Sequence, residues 1–194
     1  MSGPRGSSAG FLFLGKRARM DAAGGNWYLG AMKVLGIDAS LRGTGLAVIE
    51  QQGSRTAARH WEVVKMPAAA PHSACLKTIR ERIDAVLAAH RPGAAAMEGG
   101  FFCKNAKVAM VLGEVRGVAI SCCAAAGVPV FEYSPRAAKQ NVTGWGAAPK
   151  AQVAKMVKAV LGLAETPPPD ATDALALALC HAQTSRGLFK SEPV

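Results

Sequence analysis

Val34-Leu35-Gly36-Ile37-Asp38 reads as a short buried strand that stops on a carboxylate. Small and turn-forming residues follow over 39–43, then a second β-rich run over 44–50 and a third, alternating, over 59–66. Short turns joining three such runs predict an antiparallel meander. Further on the period lengthens. Ser73 suits the cap of a helix reaching about residue 90, with Leu76, Ile79, Ile83, Val86 and Leu87 at helical spacing, and Arg91-Pro92-Gly93 ends it. Residues 94–98 read as a buried strand, 105–126 as a long helix and 128–133 as another strand. That order requires right-handed crossovers and parallel pairing. A Gly-bearing loop over 134–148, a helix opened by Pro149 and running to 161, a Pro167-Pro168-Pro169 break and a last helix from 170 to about 183 complete the chain. The expected fold is α/β, a mixed five-stranded sheet with three antiparallel strands and then parallel pairing, flanked by helices.

The 194 residues carry 23 Lys and Arg against 13 Asp and Glu, a formal charge of +10, and half of them are apolar. That suits one domain with a real core and excludes a wholly disordered chain. No run reaches the ~18 uncharged apolar residues of a membrane span, so no membrane role is expected. The excess of basic residues points to a partner with a negative surface, nucleic acid foremost. Residues 1–31, rich in Ser, Gly and Ala and carrying +3 of the charge, read as a floppy leader, because Met32 stands directly before the first strand. Residues 32–185 are the expected folded domain and 186–194 a flexible tail. The five cysteines form no C-x-x-C and have no ligand-like spacing to the four histidines, so neither a disulfide framework nor a zinc site is expected. Unpaired thiols fit the cytoplasm, and these thiols and His181 are assigned to packing.

Because acids are scarce, their positions are informative. Asp38 and Glu98 end two strands expected to pair in parallel, which places them side by side at one sheet edge. Asp170 and Asp173, three apart at the start of the last helix, face the same way, and a first turn lying across that edge would add both. Four carboxylates together repel one another unless a cation sits among them. Oxygen ligands without His or Cys select Mg²⁺, for which Mn²⁺ substitutes, and such ions activate water for phosphodiester hydrolysis. An acid cluster on a basic protein therefore reads as a metal-dependent nuclease. A purely structural reading competes: Asp170 suits an N-cap, Asp173 the first turn of a helix dipole, and Asp38 a turn.

The ordered set Val34-Leu35-Gly36-Ile37-Asp38, Ala96-Met97-Glu98 with Phe101, residues 113–118, Val130-Phe131-Glu132-Tyr133, Lys139-Gln140, Gly144-Trp145-Gly146 with Lys150, and residues 170–176 resembles the bacterial RuvC family of Holliday-junction resolvases over residues 33 to about 185. The resemblance implies a ribonuclease H-like fold and a homodimer that nicks opposed strands of a four-way DNA junction in recombination and repair, with Mg²⁺ or Mn²⁺ as cofactor. A direct contact with a branch-migration motor complex stays open. Asp38, Glu98, Asp170 and Asp173 fall on the family's metal-binding positions, Lys139 and Lys150 on positions of DNA contact and catalysis, and Phe101 on its base-stacking position. The chain departs from the family at Ala39-Ser40, where Pro-Gly is usual, and at Gly99-Gly100, where bulkier residues are usual and which reads as a more mobile loop.

Aromatic faces stack on unpaired bases, which gives Phe101 a physical role, and lysines beside a Gly-bearing loop approach phosphates. Trp145 reads as a loop anchor. Ala106, Ala109, Gly113, Gly117 and Ala119 give the long helix a close-packing surface that suits either the sheet or a second copy. Two other readings stay in view: a catalytically silent junction-binding protein, and a ribonuclease H-like nuclease of RNA–DNA hybrids.

Overall fold

The computed structural model describes residues 19–20, 27–28, 31–99, 105–185 and 192–194. Contacts divide the chain into two units, Met1–Gly30 and Ala31–Val194. In the first, β1 (Arg19–Met20) pairs antiparallel with β2 (Trp27–Tyr28).

In the second unit β3 (Met32–Asp38), β4 (Gly43–Gln52) and β5 (Arg55–Lys65) form the expected antiparallel meander. The two residues between β4 and β5 include Gly53 at φ 59°, the left-handed conformation that such tight hairpins need. β5 begins four residues before the run legible in the sequence. The register skips Arg59, since Val48 faces His60 and Ile49 faces Ala58. That bulge interrupts the alternation by which a strand is read.

α1 (His72–His90) begins two residues earlier than a Ser73 cap implies, and its N-cap is Pro71 with no side-chain cap, so Ser73 does not cap it. β6 (Ala94–Glu98) follows, then α2 (Ala106–Ala125), capped by the Asn105 side chain, and β7 (Val130–Tyr133). The expected loop over 134–148 is largely a helix, α3 (Pro135–Thr143). Ser134 Oγ accepts from the Ala137 amide, Pro135 opens the first turn, and Gly144 closes it at φ 78°. These are the start and stop signals of a helix too short to show a long apolar period. α4 (Lys150–Leu161) and α5 (Pro169–Thr184) complete the unit.

The sheet order is β5-β4-β3-β6-β7, with β3–β6 and β6–β7 parallel. Alternation divides the core. Leu35, Ile37, Leu46, Val48, Ala95 and Met97 face α1 and α2, while Val34, Ala47, Ile49 and Ala96 face α3, α4 and α5. α5 is the central helix of its layer, buried almost throughout from Ala171 to Ala182. It lies unusually close to the sheet because two strand positions have no side chain. A Cβ on Gly36 would sit 1.9 Å from the Ala174 carbonyl oxygen, and one on Gly45 would sit 2.0 Å from that of Asp170.

α2 is by length and composition apolar enough to cross a membrane, a property the count of uncharged residues passed over because Lys107, Glu114 and Arg116 interrupt the run. Only Val115, Ala119, Cys122 and Cys123 of this helix are buried, and Val108 and Met110 are exposed. At the far edge of the sheet the Val194 amide donates to the Val130 carbonyl at 3.0 Å.

Candidate active site

Strand register places the first two carboxylates. Ile37 pairs with Met97 in the parallel β3–β6 ladder, so Asp38 and Glu98 leave adjacent strands at the same end. In the antiparallel ladder Asp38 faces Gly45, the glycine on which the main chain of Asp170 rests. Direct contact between helix and strand thus sets the first turn of α5 beside Asp38. The Asp170 carboxylate also approaches β4, where a Cβ on Gly43 would lie 3.0 Å from its Oδ2. Asp173, one turn on, accepts from Lys150 Nζ at 2.7 Å. Asp170 is not the N-cap of α5: that position is Pro168, and no side chain caps the helix. Its capping role in the structural reading is therefore absent.

The electrostatics follow from the crowding. Burial, and then the charges of Asp173, Glu98 and Asp170, push the Asp38 carboxyl up to about 7, against a smaller opposing effect of Lys150. Glu98 is raised by burial and by Asp173, while Arg116, Lys150 and Lys139 pull it down. Lys150 is held protonated to higher pH, chiefly by its hydrogen bond and charge pairing with Asp173. Such a site is short of positive charge. Its donors are all carboxylate oxygens, the chemistry that suits a hard divalent cation. Among the described residues, no three His, Cys, Asp or Glu side chains stand close enough to hold one ion as they lie. Asp173 is instead engaged by Lys150, so closing a ligand shell requires side-chain rotation at this exposed rim.

A small cleft of about 50 Å³ opens at this end of the sheet, lined by Asp38, Ala39, Glu98, Leu112 and Arg116. Arg116 reaches it from α2 and donates to the Glu98 carbonyl oxygen and to Glu132 on β7. Arg116 and Glu132 both lie in stretches that carry the family resemblance, but the sequence assigns a role to neither, because a lone Arg on a helix and a lone Glu on a strand look like solvated surface. Gly99, read in the sequence as part of a mobile loop, is a glycine for a packing reason: a Cβ there would lie 2.5 Å from the Cβ of Glu132.

Lys139 sits on α3 and Lys150 opens α4, both near enough for their charges to favour ionised Glu98. Trp145 is 55 % exposed, and the turn that holds it is fixed by Thr143 Oγ1, which donates to the Trp145 carbonyl and accepts from its amide. Phe101 lies outside the described residues. His181 is buried, with Nδ1 2.8 Å from the Tyr133 hydroxyl and its ring against Phe131. Cys75, Cys122, Cys123 and Cys180 are buried free thiols.

The sequence profile of the family described as "Crossover junction endodeoxyribonuclease RuvC" matches residues 34–181. The RuvC of Sorangium cellulosum is 44 % identical over 150 residues, covering 77 % of this chain and 84 % of that protein. The RuvC of Chloroflexus aggregans is 41 % identical over 155 residues, covering 79 % and 94 %. A solved structure of Thermus thermophilus RuvC in complex with a Holliday-junction substrate superposes with a TM-score of 0.78 at 37 % identity, over 84 % of this chain and 99 % of that one.

Proposed function

The chain belongs to the RuvC family of crossover junction endodeoxyribonucleases, and from that premise we propose that it resolves four-way DNA junctions by hydrolysing a phosphodiester at the cleft beside Asp38 and Glu98. It is a Holliday-junction resolvase with a ribonuclease H-like sheet. One observation carries the assignment of the site: carboxylates from β3, β6 and α5 meet at one end of the parallel strand pair, where burial and then the neighbouring acids push Asp38 up to about 7.

We infer that Asp38, Glu98, Asp170 and Asp173 hold Mg²⁺, or Mn²⁺ in its place. The bound cation would supply a water of lowered pKa and offset charge on the phosphate oxygens. The chain's own groups do the rest. Asp38 and Glu98, fixed by strand pairing, set the position from which the phosphate is approached in line, and the products are 5′-phosphate and 3′-hydroxyl ends. Lys150 is held by Asp173 at the rim with its ammonium protonated, a donor for a phosphate oxygen that gains charge. Lys139 is assigned the same electrostatic task. Phe101, two positions beyond Gly99, is proposed to stack on a base at the junction centre. The active unit is proposed to be a homodimer through α2, whose Val108 and Met110 are exposed and whose Gly113 and Gly117 face open space. The buried free thiols fit a cytoplasmic location.

The test is incubation of the protein with a synthetic four-way junction, a linear duplex and an RNA–DNA hybrid in parallel, with Mg²⁺ or Mn²⁺. Paired symmetric nicks in the junction are expected, and Asp38→Asn, Glu98→Gln and Asp173→Asn should lose most cutting while keeping junction affinity. Preference for the hybrid, or junction binding without any nick, would overturn the assignment.

A further inference from the structure

Pairing between β6 and β7 stops just past Glu98. The Gly99 amide reaches the Tyr133 carbonyl at 3.0 Å, and two residues beyond Tyr133 stands Pro135, which has no amide to offer. Past that rung β7 no longer holds β6, and Arg116 adds a tie at the preceding residue, Glu98. One arm of its guanidinium donates to the Glu98 carbonyl oxygen and the other to Glu132 Oε1, and the side chain is only 18 % exposed. Glu132 in turn packs on Gly99, where no side chain fits. Three elements, α2, β6 and β7, are joined at the residue that carries Glu98.

We propose that Arg116, held in place by Glu132, is a positioning residue that clamps the end of β6 and so aims the Glu98 carboxylate into the cleft it shares with Asp38. The inference rests on the assignment of that cleft as the metal-holding site. A planar fork spans two acceptors at fixed separation, which a lysine ammonium cannot reproduce. Outer partners that orient a ligand are worth about 10–100-fold in metal affinity or activity.

The experiment uses the full chain and its variants R116Q, R116K and E132Q, with D38N as a control. Direct Mn²⁺ binding is measured by calorimetry without DNA, single-turnover nicking of a four-way junction is followed across Mn²⁺ concentrations, and junction affinity and melting temperature are recorded. R116Q and E132Q should weaken Mn²⁺ binding and raise the Mn²⁺ needed for half-maximal nicking by about tenfold or more, with junction affinity unchanged. R116K should resemble R116Q. Parent-like Mn²⁺ binding in folded R116Q and E132Q would overturn the clamp, and so would full rescue by R116K, which would show that a point charge suffices. Should R116Q not fold, E132Q decides alone, since it keeps the guanidinium and changes one oxygen to an amide. Normal nicking by D38N would overturn the site assignment itself, whereas inactive D38N beside parent-like R116Q and E132Q overturns only the clamp.

Discussion

Asp38 is held in an environment that resists its ionisation, and this has a measurable consequence for folding. Its carboxyl titrates at about 7 in the native protein against 3.8 in the unfolded chain. Between these values the native state holds the extra proton, so stability falls as pH rises through this window and the full penalty is present above it. The shift corresponds to roughly 4 kcal/mol as an order of magnitude. The metal-free Asp38→Asn protein should therefore melt higher than the parent at pH 8, with the gap closing toward pH 4, in a pH series of thermal melts. Adding Mg²⁺ at pH 8 should raise the melting temperature of the parent much more than that of the variant. A variant less stable than the parent at pH 8 would show that Asp38 is not under this strain. The acids could be singled out in the sequence because they are few, two of them ending strands and two standing three apart at the start of a helix. Arg116 and Glu132 fell within stretches that carry the family resemblance, but their partnership was not legible, since an ion pair between a helix and a strand has no local sequence pattern.

At the scale of elements, the site depends on how closely α5 can lie on the sheet. Gly45→Ala places a methyl group where the Asp170 carbonyl now sits, so helix and strand must part. Overpacking of this kind costs about 1–3 kcal/mol, and a displacement near 1 Å of catalytic groups costs on the order of 100-fold in rate. The expected result is a folded protein with a lowered melting temperature and junction cutting reduced by about that factor; cutting at the parent rate would show that the close approach is dispensable. The strands of the five-stranded sheet and four of the five helices were legible from apolar periodicity and from Pro and Gly punctuation, while the β1–β2 pair was not. α3 was not, because its nine residues hold only Ala138 and Val142 in the core. The first half of β5 was hidden by the bulge at Arg59, and Gly36 and Gly45 read as ordinary strand residues until a helix was seen to rest on them.

For the whole molecule, the exposed apolar side of α2 is where the proposed second copy would dock. Gly117→Leu should separate the proposed dimer, since a Cβ added there meets nothing within 4 Å in one protomer while the larger side chain blocks close approach of a second helix. Leu is also the better helix former by close to ~1 kcal/mol, so a monomer in sedimentation with an unchanged or higher melting temperature is expected. A variant that stays dimeric would place the interface elsewhere. Removing residues 1–30, outside the unit that carries the site, should leave junction nicking intact, and an inactive truncation would give those residues a part in the fold.

The two strands that end on Asp38 and Glu98 are both interior: β3 lies between β4 and β6, and β6 between β3 and β7. Neither can peel away without tearing the sheet, so their amides should exchange with deuterated solvent only through global unfolding, unlike those of a frayed edge. Heat should then extinguish cutting and folding in one step. The ligand cradle should have no softer melting of its own, and enzyme that survives a thermal challenge should retain its full specific activity.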